Sequence, residues 1–293
     1  MIVTTVASIA DLSPGAHACM TFTDPEERLD LMAAYVHMGL ISGVKVLCLT
    51  EALPPDRLKH ELAQREVPVT EPLKTGQLTI GTTDEAWMAQ GGSPTAKSML
   101  EMLAAQVTQA VGDGYPGLRV SADMLWATRP LAAIDQLLTF ENSLTTLLEN
   151  GRLTVICHYD RDQFDPVTLD RAVEAHPVSV AAAAYHDDAL LRVCRQYSPP
   201  GIRLAGEIDA DHADALAQAL TEAIRLDHNV FLNLRGLRFI DLANASTIVR
   251  AALSLPADRH LLVVCDERIK STLALVGASE AAQLRVQVAN GQP

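Results

Sequence analysis

The sequence predicts an α/β protein of two domains, a larger one built on a mostly parallel sheet and a smaller one after it. Apolar strand-like runs alternate with amphipathic helices along the chain, which is the pattern of parallel strands joined by helical crossovers. The length of 293 residues favours two domains over one. The pattern breaks at Pro199-Pro200-Gly201, where a helix cannot continue. We therefore predict domains at residues 1–196 and 197–293.

The first domain opens with the clearest helix signal. Asp24 is a capping residue, Pro25 suits the first helical position, and apolar residues recur at helical spacing up to Leu40. The compact apolar run that follows predicts a strand buried on both faces over 44–50. The same alternation predicts strands at 78–81, 118–123 and 153–159, helices at 56–65, 95–111, 131–148 and 166–175, and an apolar piece near 178–184.

The smaller domain repeats the alternation on a shorter scale. Alternating residues predict a strand at 202–209, and Ala213, Leu216 and Leu220 then share one face of a helix. The order gives a βαβαβαβ module. Its remaining predicted elements are strands at 229–234, 261–265 and 284–288 and helices at 242–253 and 267–276.

Charge and composition exclude several classes of function. The formal net charge of −13 argues against nucleic acid as the main partner, because phosphate binding needs a basic face. The apolar stretches fall far short of the ~20 residues that a membrane helix requires. The amino terminus lacks the basic segment of a secretory signal, so we expect a cytoplasmic protein. Five cysteines without CxxC spacing predict reduced thiols in the core.

Catalytic and nucleotide-binding signatures are missing from the sequence. It contains no GxxxxGK[ST] phosphate loop and no GxGxxG, HExxH or GxSxG pattern. We therefore expect neither an enzyme nor a cofactor. The alternative is a degenerate nucleotide-binding protein or a metal-dependent enzyme.

One carboxylate occupies an unusual place in the pattern. Glu141 falls on the apolar stripe of the helix predicted at 131–148. A buried charge is costly, so this carboxylate must be paired, protonated or facing a cavity. An internal ion pair with Arg119 and a ligand-facing role both remain open.

Two His/Cys doublets lie at strand-like positions, His17-Ala18-Cys19 and Cys157-His158-Tyr159. Imidazole and thiolate are ligands that suit zinc or copper. The same side chains could instead line a ligand pocket or simply pack in the core. These three interpretations stay open, and no metal is assigned.

Ligands of parallel sheets usually bind beyond the carboxyl ends of the strands. Asp123 and Tyr159 end two predicted strands and Trp126 follows one of them, so we predict that the three converge. The alternative is that Trp126 covers a helix end. The predicted ligand-binding residues are His17, Cys19, Asp123, Trp126, Glu141, Cys157 and Tyr159.

A series of short motifs runs through the first domain in a fixed order. They are Gly15-Ala16-His17-Ala18-Cys19, Gly39-Leu40, Gly76-Gln77-Leu78, Gly117-Leu118-Arg119-Val120, Asp123-Met124-Leu125-Trp126, Phe140-Glu141, Cys157-His158-Tyr159-Asp160 and His176-Pro177. Together they resemble the MEDS sensory domain, a family named for methanogens, methylotrophs and a dichloromethane-responsive regulator. The resemblance implies a RecA-like α/β fold without a working phosphate loop, and a role in sensing small organic compounds.

Two segments of the smaller domain resemble another family. The run Gly206-Glu207-Ile208-Asp209 and the run from Leu234 to Asp241 are similar to the STAS domain, the fold of anti-sigma factor antagonists. In active antagonists that last Asp is followed by two serines and a glycine, and the second serine is phosphorylated. Here the phosphorylated position is Ala243, so the resemblance implies no phosphorylation at the usual site.

The same resemblance implies a surface for a partner protein. Ala243 and Thr247 project outward from a helix that Asp241 caps. Ser246 and Thr247 lie about a turn deeper than the usual acceptor, so they are poor substitutes for it. The implied partner-binding residues are Asp209, Asp241, Ala243, Asn244 and Thr247.

These observations predict a sensor-regulator without catalytic activity. The first domain would bind a small organic effector, and the second would dock on an anti-sigma factor or a related regulatory kinase. No nucleic acid and no membrane are expected as partners, and a homo-oligomer is left open. Two further alternatives are a RecA-type nucleotide hydrolase and a scaffold of two docking modules.

Overall fold

The alternation of strands and helices predicted from the sequence is present in the computed structural model, which describes residues 5–87, 94–129 and 134–289. The chain divides into two units, residues 1–181 and 182–293. The first unit contains a seven-stranded sheet in which every strand pair is parallel. The second contains a six-stranded mixed sheet. The predicted α/β fold class, a parallel sheet followed by a smaller α/β unit, is therefore confirmed.

The first sheet has the strand order β1-β7-β2-β6-β5-β3-β4. Its strands are β1 Thr5–Ala7, β2 His17–Phe22, β3 Lys45–Thr50, β4 Leu78–Thr82, β5 Leu118–Asp123, β6 Leu153–Asp160 and β7 Val178–Val180. The helices are α1 Pro25–Ile41, α2 Pro55–Gln64, α3 Thr70–Thr75, α4 Thr83–Trp87, α5 Ala96–Gly112, α6 Ile134–Ser143, α7 Thr145–Leu148 and α8 Pro166–Glu174.

Successive residues of each strand face opposite layers of helices. Leu118 and Val120 of β5 share an apolar core with Leu137 of α6. Val46 and Cys48 of β3 belong to a separate core with residues of α1 and α2. We call the first side of the sheet the α6 face and the second the α1 face.

The second sheet has the order β13-β12-β11-β10-β9-β8, parallel from β10 to β13 and antiparallel across β9 and β8. Its strands are β8 Ala184–Asp187, β9 Leu191–Tyr197, β10 Pro200–Ile208, β11 Val230–Ile240, β12 Leu261–Cys265 and β13 Leu284–Val288. The helices are α9 Ala213–Leu226, α10 Leu242–Leu253 and α11 Glu267–Leu275.

The division between the units lies ahead of the boundary predicted after residue 196. The predicted break at Pro199-Pro200 is the turn of the β9–β10 hairpin, in which Tyr197 pairs with Pro200. Residues 182–196 therefore belong to the second unit, where they contribute β8 and most of β9 to its sheet. Hairpin turns and interdomain linkers use the same residue types, so this pattern predicts a break in regular structure but not its kind.

Two smaller predictions can be compared with the structure. The single helix expected at 131–148 is divided into α6 and α7, and residues 131–133 lie outside the described residues. All five cysteines are buried thiols, as predicted. Within residues 5–87, 94–129 and 134–289, no helix has the length and apolar character needed to cross a membrane.

A buried arginine ties α1 to the end of α2. The side chain of Arg65 is 1% exposed, and its Nε lies 2.7 Å from the Asp30 carboxylate. Its two terminal nitrogens lie 2.6 Å from Glu26 and 2.7 Å from Glu61. A buried guanidinium is tolerated only where carboxylates replace its water. The three ion pairs therefore stabilise the α1–α2 contact on the α1 face.

We expect Arg65→Ala to lower the free energy of unfolding of the first unit by about 3 kcal/mol, because it leaves the buried Asp30 without its main counter-charge. Urea unfolding followed by tryptophan fluorescence reports on this unit, since both tryptophans of the chain, Trp87 and Trp126, lie in it. Lys74→Ala, which removes an exposed ion pair with Glu71, is the control and should change little. Equal effects of the two substitutions would contradict the role of Arg65.

Candidate functional site

Five side chains meet on the α6 face of the first sheet around one carboxylate. Glu141 of α6 is 0% exposed. Its Oε2 accepts a hydrogen bond from His17 Nε2 at 2.9 Å, and its Oε1 accepts one from Tyr159 Oη. Cys157 Sγ lies 3.6 Å and His176 Nε2 lies 3.4 Å from Oε2. We call these five residues the Glu141 cluster.

Strand pairing explains why three of these residues meet. β2 and β6 are parallel neighbours, and their register pairs Cys19 with Cys157. Because alternate residues of a strand face the same side, His17 on β2 and Tyr159 on β6 lie on the same face as that pair. The two His/Cys doublets noted in the sequence therefore do meet, although His158 is directed to the α1 face.

His176 joins the cluster from the turn that follows α8. Its Nδ1 donates a hydrogen bond to the carbonyl of Ala172 at 2.6 Å. A carbonyl can only accept, so Nδ1 carries the hydrogen and Nε2 is directed at Glu141. Its ring also contacts that of His17, with centroids 4.0 Å apart. Burial lowers the pKa of His176 to about 4, although the charge of Glu141 opposes the shift.

The cluster keeps Glu141 ionised although it is buried. Burial raises the pKa of this carboxyl, but the charge of His176 and the hydrogen bonds from His17 and Tyr159 outweigh burial and lower the pKa to about 2. Burial and the charge of Glu141 raise the pKa of the Cys157 thiol and of the Tyr159 phenol well above their usual values. At neutral pH the cluster therefore contains a carboxylate beside a protonated thiol and phenol.

The ion pair considered between Glu141 and Arg119 is not formed. Leu118 and Val120 face α6, so Arg119 between them lies on the α1 face. There its guanidinium donates to the carbonyl of Tyr35 at 3.4 Å and lies 5.1 Å from the Tyr35 ring centroid. Strand parity thus separates the two residues by the thickness of the sheet.

Asp123, another predicted ligand residue, also lies on the α1 face and does not join the Glu141 cluster. Its carboxylate pairs with Arg28 at 2.7 Å and accepts the backbone N–H groups of Ala52 and Leu125, both at 3.1 Å. It therefore ties the start of α1 to the segments after β3 and β5. Cys19, by contrast, lies on the α6 face beside Cys157.

Trp126 lies just beyond the carboxyl end of β5, in a short 3-10 helix at Met124–Thr128. Its buried ring contacts that of Trp87, with ring centroids 5.5 Å apart. The ring centroids of Trp87 and Phe140 are 5.9 Å apart. Neither indole Nε1 has a hydrogen-bond partner among the residues that the structure describes. Buried donors are normally satisfied, so this pair is suited to an acceptor supplied from elsewhere.

Two residues described above, His176 and Trp87, are not among the ligand-binding residues predicted from the sequence. His176 stands outside any helical or strand periodicity, and its only signal was the His-Pro motif. Trp87 had an available signal, since it is one of two tryptophans in a chain with 4% aromatic residues.

The predicted partner-binding residues surround the start of α10 in the second unit. Asp241 caps this helix by accepting the backbone N–H of Asn244 at 2.8 Å. Asn244 is buried and donates to the carbonyl of Asp209 at 2.8 Å, so it holds the helix start instead of facing a partner. Ala243 is exposed, and Thr247 is half-buried with its hydroxyl donating to the Ala243 carbonyl at 3.1 Å.

Two groups of described side chains have the composition and spacing of metal ligands. The first is the Glu141 cluster without Tyr159, whose four ligand atoms all lie within 4.8 Å of one another. The second lies in the second unit, where Asp188 accepts from His186 at 2.8 Å and from His212 at 3.3 Å. The first group is completely buried, whereas the second is partly exposed.

Comparisons with known proteins find a family for each unit. The family described as the methanogen/methylotroph, DcmR sensory domain, or MEDS domain, matches residues 16–177, more than half of the chain. The STAS domain matches residues 195–290. The order of the two is the one that the sequence motifs predicted. No curated protein matches the chain significantly.

Solved structures include distant likenesses. The flagellar accessory protein FlaH from Methanocaldococcus jannaschii is 9% identical, with a TM-score of 0.44, and the match covers 66% of this chain and 84% of that chain. A KaiC-like protein from the hyperthermophilic archaeon Pyrococcus horikoshii OT3 is 12% identical, with a TM-score of 0.43, and the match covers 63% of this chain and 79% of that chain. Neither likeness bears on the ligands or activity of this chain.

Asp123 gives a prediction for the acid dependence of stability. Burial raises the pKa of its carboxyl, but the Arg28 ion pair and the backbone hydrogen bonds outweigh burial and hold the pKa below its usual value. A carboxyl with a depressed pKa stabilises the fold above its ordinary pKa, near pH 4, and this contribution is lost as the pH falls below that value.

We therefore expect Asp123→Asn to lower the free energy of unfolding by about 3 kcal/mol at neutral pH, because Arg28 is left buried and unpaired. The difference in free energy of unfolding between this variant and the wild type should become smaller below about pH 4, as measured by urea unfolding followed by tryptophan fluorescence. Asp84→Asn, at an ion pair with Arg129 whose two side chains are both exposed, is the matched control and should change the free energy of unfolding little. A difference for Asp123→Asn that is constant across the pH range would contradict this assignment.

Proposed function

Because this chain belongs to the MEDS family of sensory domains and carries a STAS domain after it, we propose that it is a sensor-regulator without catalytic activity. A sensory domain joined to a STAS domain makes the protein a component of signalling and regulation. In our proposal the first unit binds a small organic effector. The STAS unit docks on an anti-sigma factor or a related regulatory kinase.

The tryptophan pair on the α6 face carries the effector part of the proposal. Trp87 and Trp126 are buried, contact each other and present two indole donors without a partner among the described residues. Small-molecule sites are typically apolar and aromatic with a few polar groups that fix orientation. A small, largely apolar compound with hydrogen-bond acceptors has the chemistry that these rings and donors would recognise. The position beyond the carboxyl end of β5 is also where parallel sheets bind ligands.

The chemistry of the neighbouring cluster supports binding over catalysis. Cys157 is a buried thiol whose pKa burial and Glu141 raise well above the usual value, so it is a poor nucleophile. Both oxygens of Glu141 are already engaged by protein groups. A general base needs a free acceptor within reach of its substrate.

The exposed start of α10 supports the docking part of the proposal. Phe239 and Leu242, which flank the helix cap, are 49% and 55% exposed although both are large and apolar. Large apolar side chains that remain exposed close together in the chain are candidates for a protein-binding surface. Ala243 follows Leu242 at the position that is phosphorylated in active antagonists, and alanine cannot accept a phosphate. Effector occupancy, which must favour one conformation of the chain over another, would then replace phosphorylation as the switch.

A panel of methanol, ethanol, acetone and methyl acetate, which are small uncharged compounds with a hydrogen-bond acceptor, tests effector binding. We expect at least one compound to raise the melting temperature of the full chain and to change its tryptophan emission, since both tryptophans lie at the site. Trp126→Phe, which removes one indole donor, should weaken that binding by roughly tenfold. Phe164→Leu alters the same core but keeps both indoles, and it should bind as the wild type does. No response to any compound, or equal binding by Trp126→Phe, would contradict the proposed site.

Leu242→Asp tests the docking surface. In a two-hybrid assay against the anti-sigma factors and related kinases of the source organism, we expect it to abolish an interaction that the wild type makes, because it puts a charge into an apolar contact. Leu253→Asp is the matched control, since Leu253 is 55% exposed at the other end of the same helix, about 16 Å away. The proposal fails if the wild type binds none of these proteins or if both substitutions weaken binding equally.

A further inference from the structure

We propose that the Glu141 cluster binds one Zn²⁺ ion. The ligand atoms are His17 Nε2, Glu141 Oε2, Cys157 Sγ and His176 Nε2. The site does not depend on the proposed effector, because it uses none of the tryptophan donors assigned to effector binding.

The distances between the ligand atoms fit a tetrahedral zinc site. Glu141 Oε2 lies 2.9 Å from His17 Nε2, 3.4 Å from His176 Nε2 and 3.6 Å from Cys157 Sγ. Cys157 Sγ and His17 Nε2 are 3.9 Å apart. Ligands held about 2.0–2.3 Å from Zn²⁺ at tetrahedral angles are separated by about 3.3–3.8 Å. These four separations lie within about 0.4 Å of that range, and all four ligand atoms lie within 4.8 Å of one another.

The hydrogen bonds behind the ligands are those that metal sites use. Histidine ligands usually donate their second ring N–H to a carbonyl or carboxylate, which fixes the ring and directs the other nitrogen at the metal. His176 does this through Nδ1 to the carbonyl of Ala172. Tyr159 holds the outer oxygen of Glu141, which fixes the inner oxygen in the cluster. Two ligands are thus oriented by groups that do not themselves bind the ion.

The electrostatics of the cluster favour a cation at its centre. With the hydrogen of His176 on Nδ1, the lone pair of Nε2 is directed at a carboxylate oxygen only 3.4 Å away. A positive ion between these atoms turns a repulsion into two attractions. On binding, the Cys157 thiol releases its proton to solvent, and the hydrogen of His17 moves from Nε2 to Nδ1 so that Nε2 can bind the ion. Carboxylate and thiolate together then balance the two charges of Zn²⁺. A buried site without net charge avoids the cost of an uncompensated ion.

The ligand types select zinc over the common hard cations. Ca²⁺ and Mg²⁺ take oxygen ligands almost throughout, whereas imidazole and thiolate favour zinc. Four protein ligands form a closed site, which is typical of structural zinc and leaves no position for a catalytic water. A closed zinc site therefore fits a protein that senses without catalysis.

Cobalt substitution of the full chain tests the site. After the metal is removed with a chelator, we expect one equivalent of Co²⁺ to give the absorption bands of tetrahedral cobalt together with a thiolate-to-cobalt charge-transfer band, and Zn²⁺ to abolish both. Elemental analysis of protein purified without a metal-binding tag should find zinc near one equivalent. No uptake of Co²⁺ by folded wild-type protein, or a spectrum without the thiolate band, would overturn the proposal.

Matched variants locate the ion. Cys157→Ser and His176→Gln should remove tight zinc binding, and Tyr159→Phe should weaken it by about 10–100-fold. Cys19→Ser, at the neighbouring cysteine on the same face, and His158→Gln, at the next residue but on the opposite face, should bind as the wild type does. Equal loss in the controls, or unchanged affinity in folded Cys157→Ser, contradicts the assignment. If a variant does not fold, as judged by tryptophan emission, the wild-type cobalt spectrum still decides the question.

Discussion

A carboxylate can stay ionised inside a protein only where other groups replace its hydration, and the first unit is arranged to meet that constraint at Glu141. The donors come from separate parts of the chain, His17 from β2 and Cys157 and Tyr159 from β6, and His176 from the turn after α8 completes the cluster. These segments meet only when the central strands are in register and both helices are docked. The polar cluster thus makes the packing of the α6 face specific in a way that apolar contacts alone do not.

Periodicity predicted the fold class and most elements, because amphipathic helices and doubly buried strands leave regular patterns in a sequence. It also singled out Glu141, since a carboxylate on an apolar stripe breaks the pattern. The partners of Glu141 could not be found in this way. Whether Arg119 or His17 reaches it depends on strand parity and strand order, which are properties of the sheet. His176 lies beyond the last turn of α8, where no periodic signal exists.

The second unit shows how a family motif can suggest a contact that the local structure does not provide. Asn244 belongs to the segment that resembles the regulatory helix of the anti-sigma factor antagonists. Its side-chain amide, however, donates hydrogen bonds to the Asp209 carbonyl and the Asp241 carboxylate in the interior. The exposed residues of that segment, such as Leu242 and Ala243, are apolar and uncharged. Such a surface keeps one charge state, whereas a phosphorylated one alternates between two.

The pairing of β7 has a mechanical consequence. This strand spans only Val178–Val180, but it is hydrogen-bonded on both sides, to β1 and to β2, and the chain enters the second unit directly after it. His176 stands two residues before its first residue. A pull along the chain at this junction therefore loads two rows of hydrogen bonds in shear, and the buried His176 side chain beside Glu141 lies just before the loaded strand.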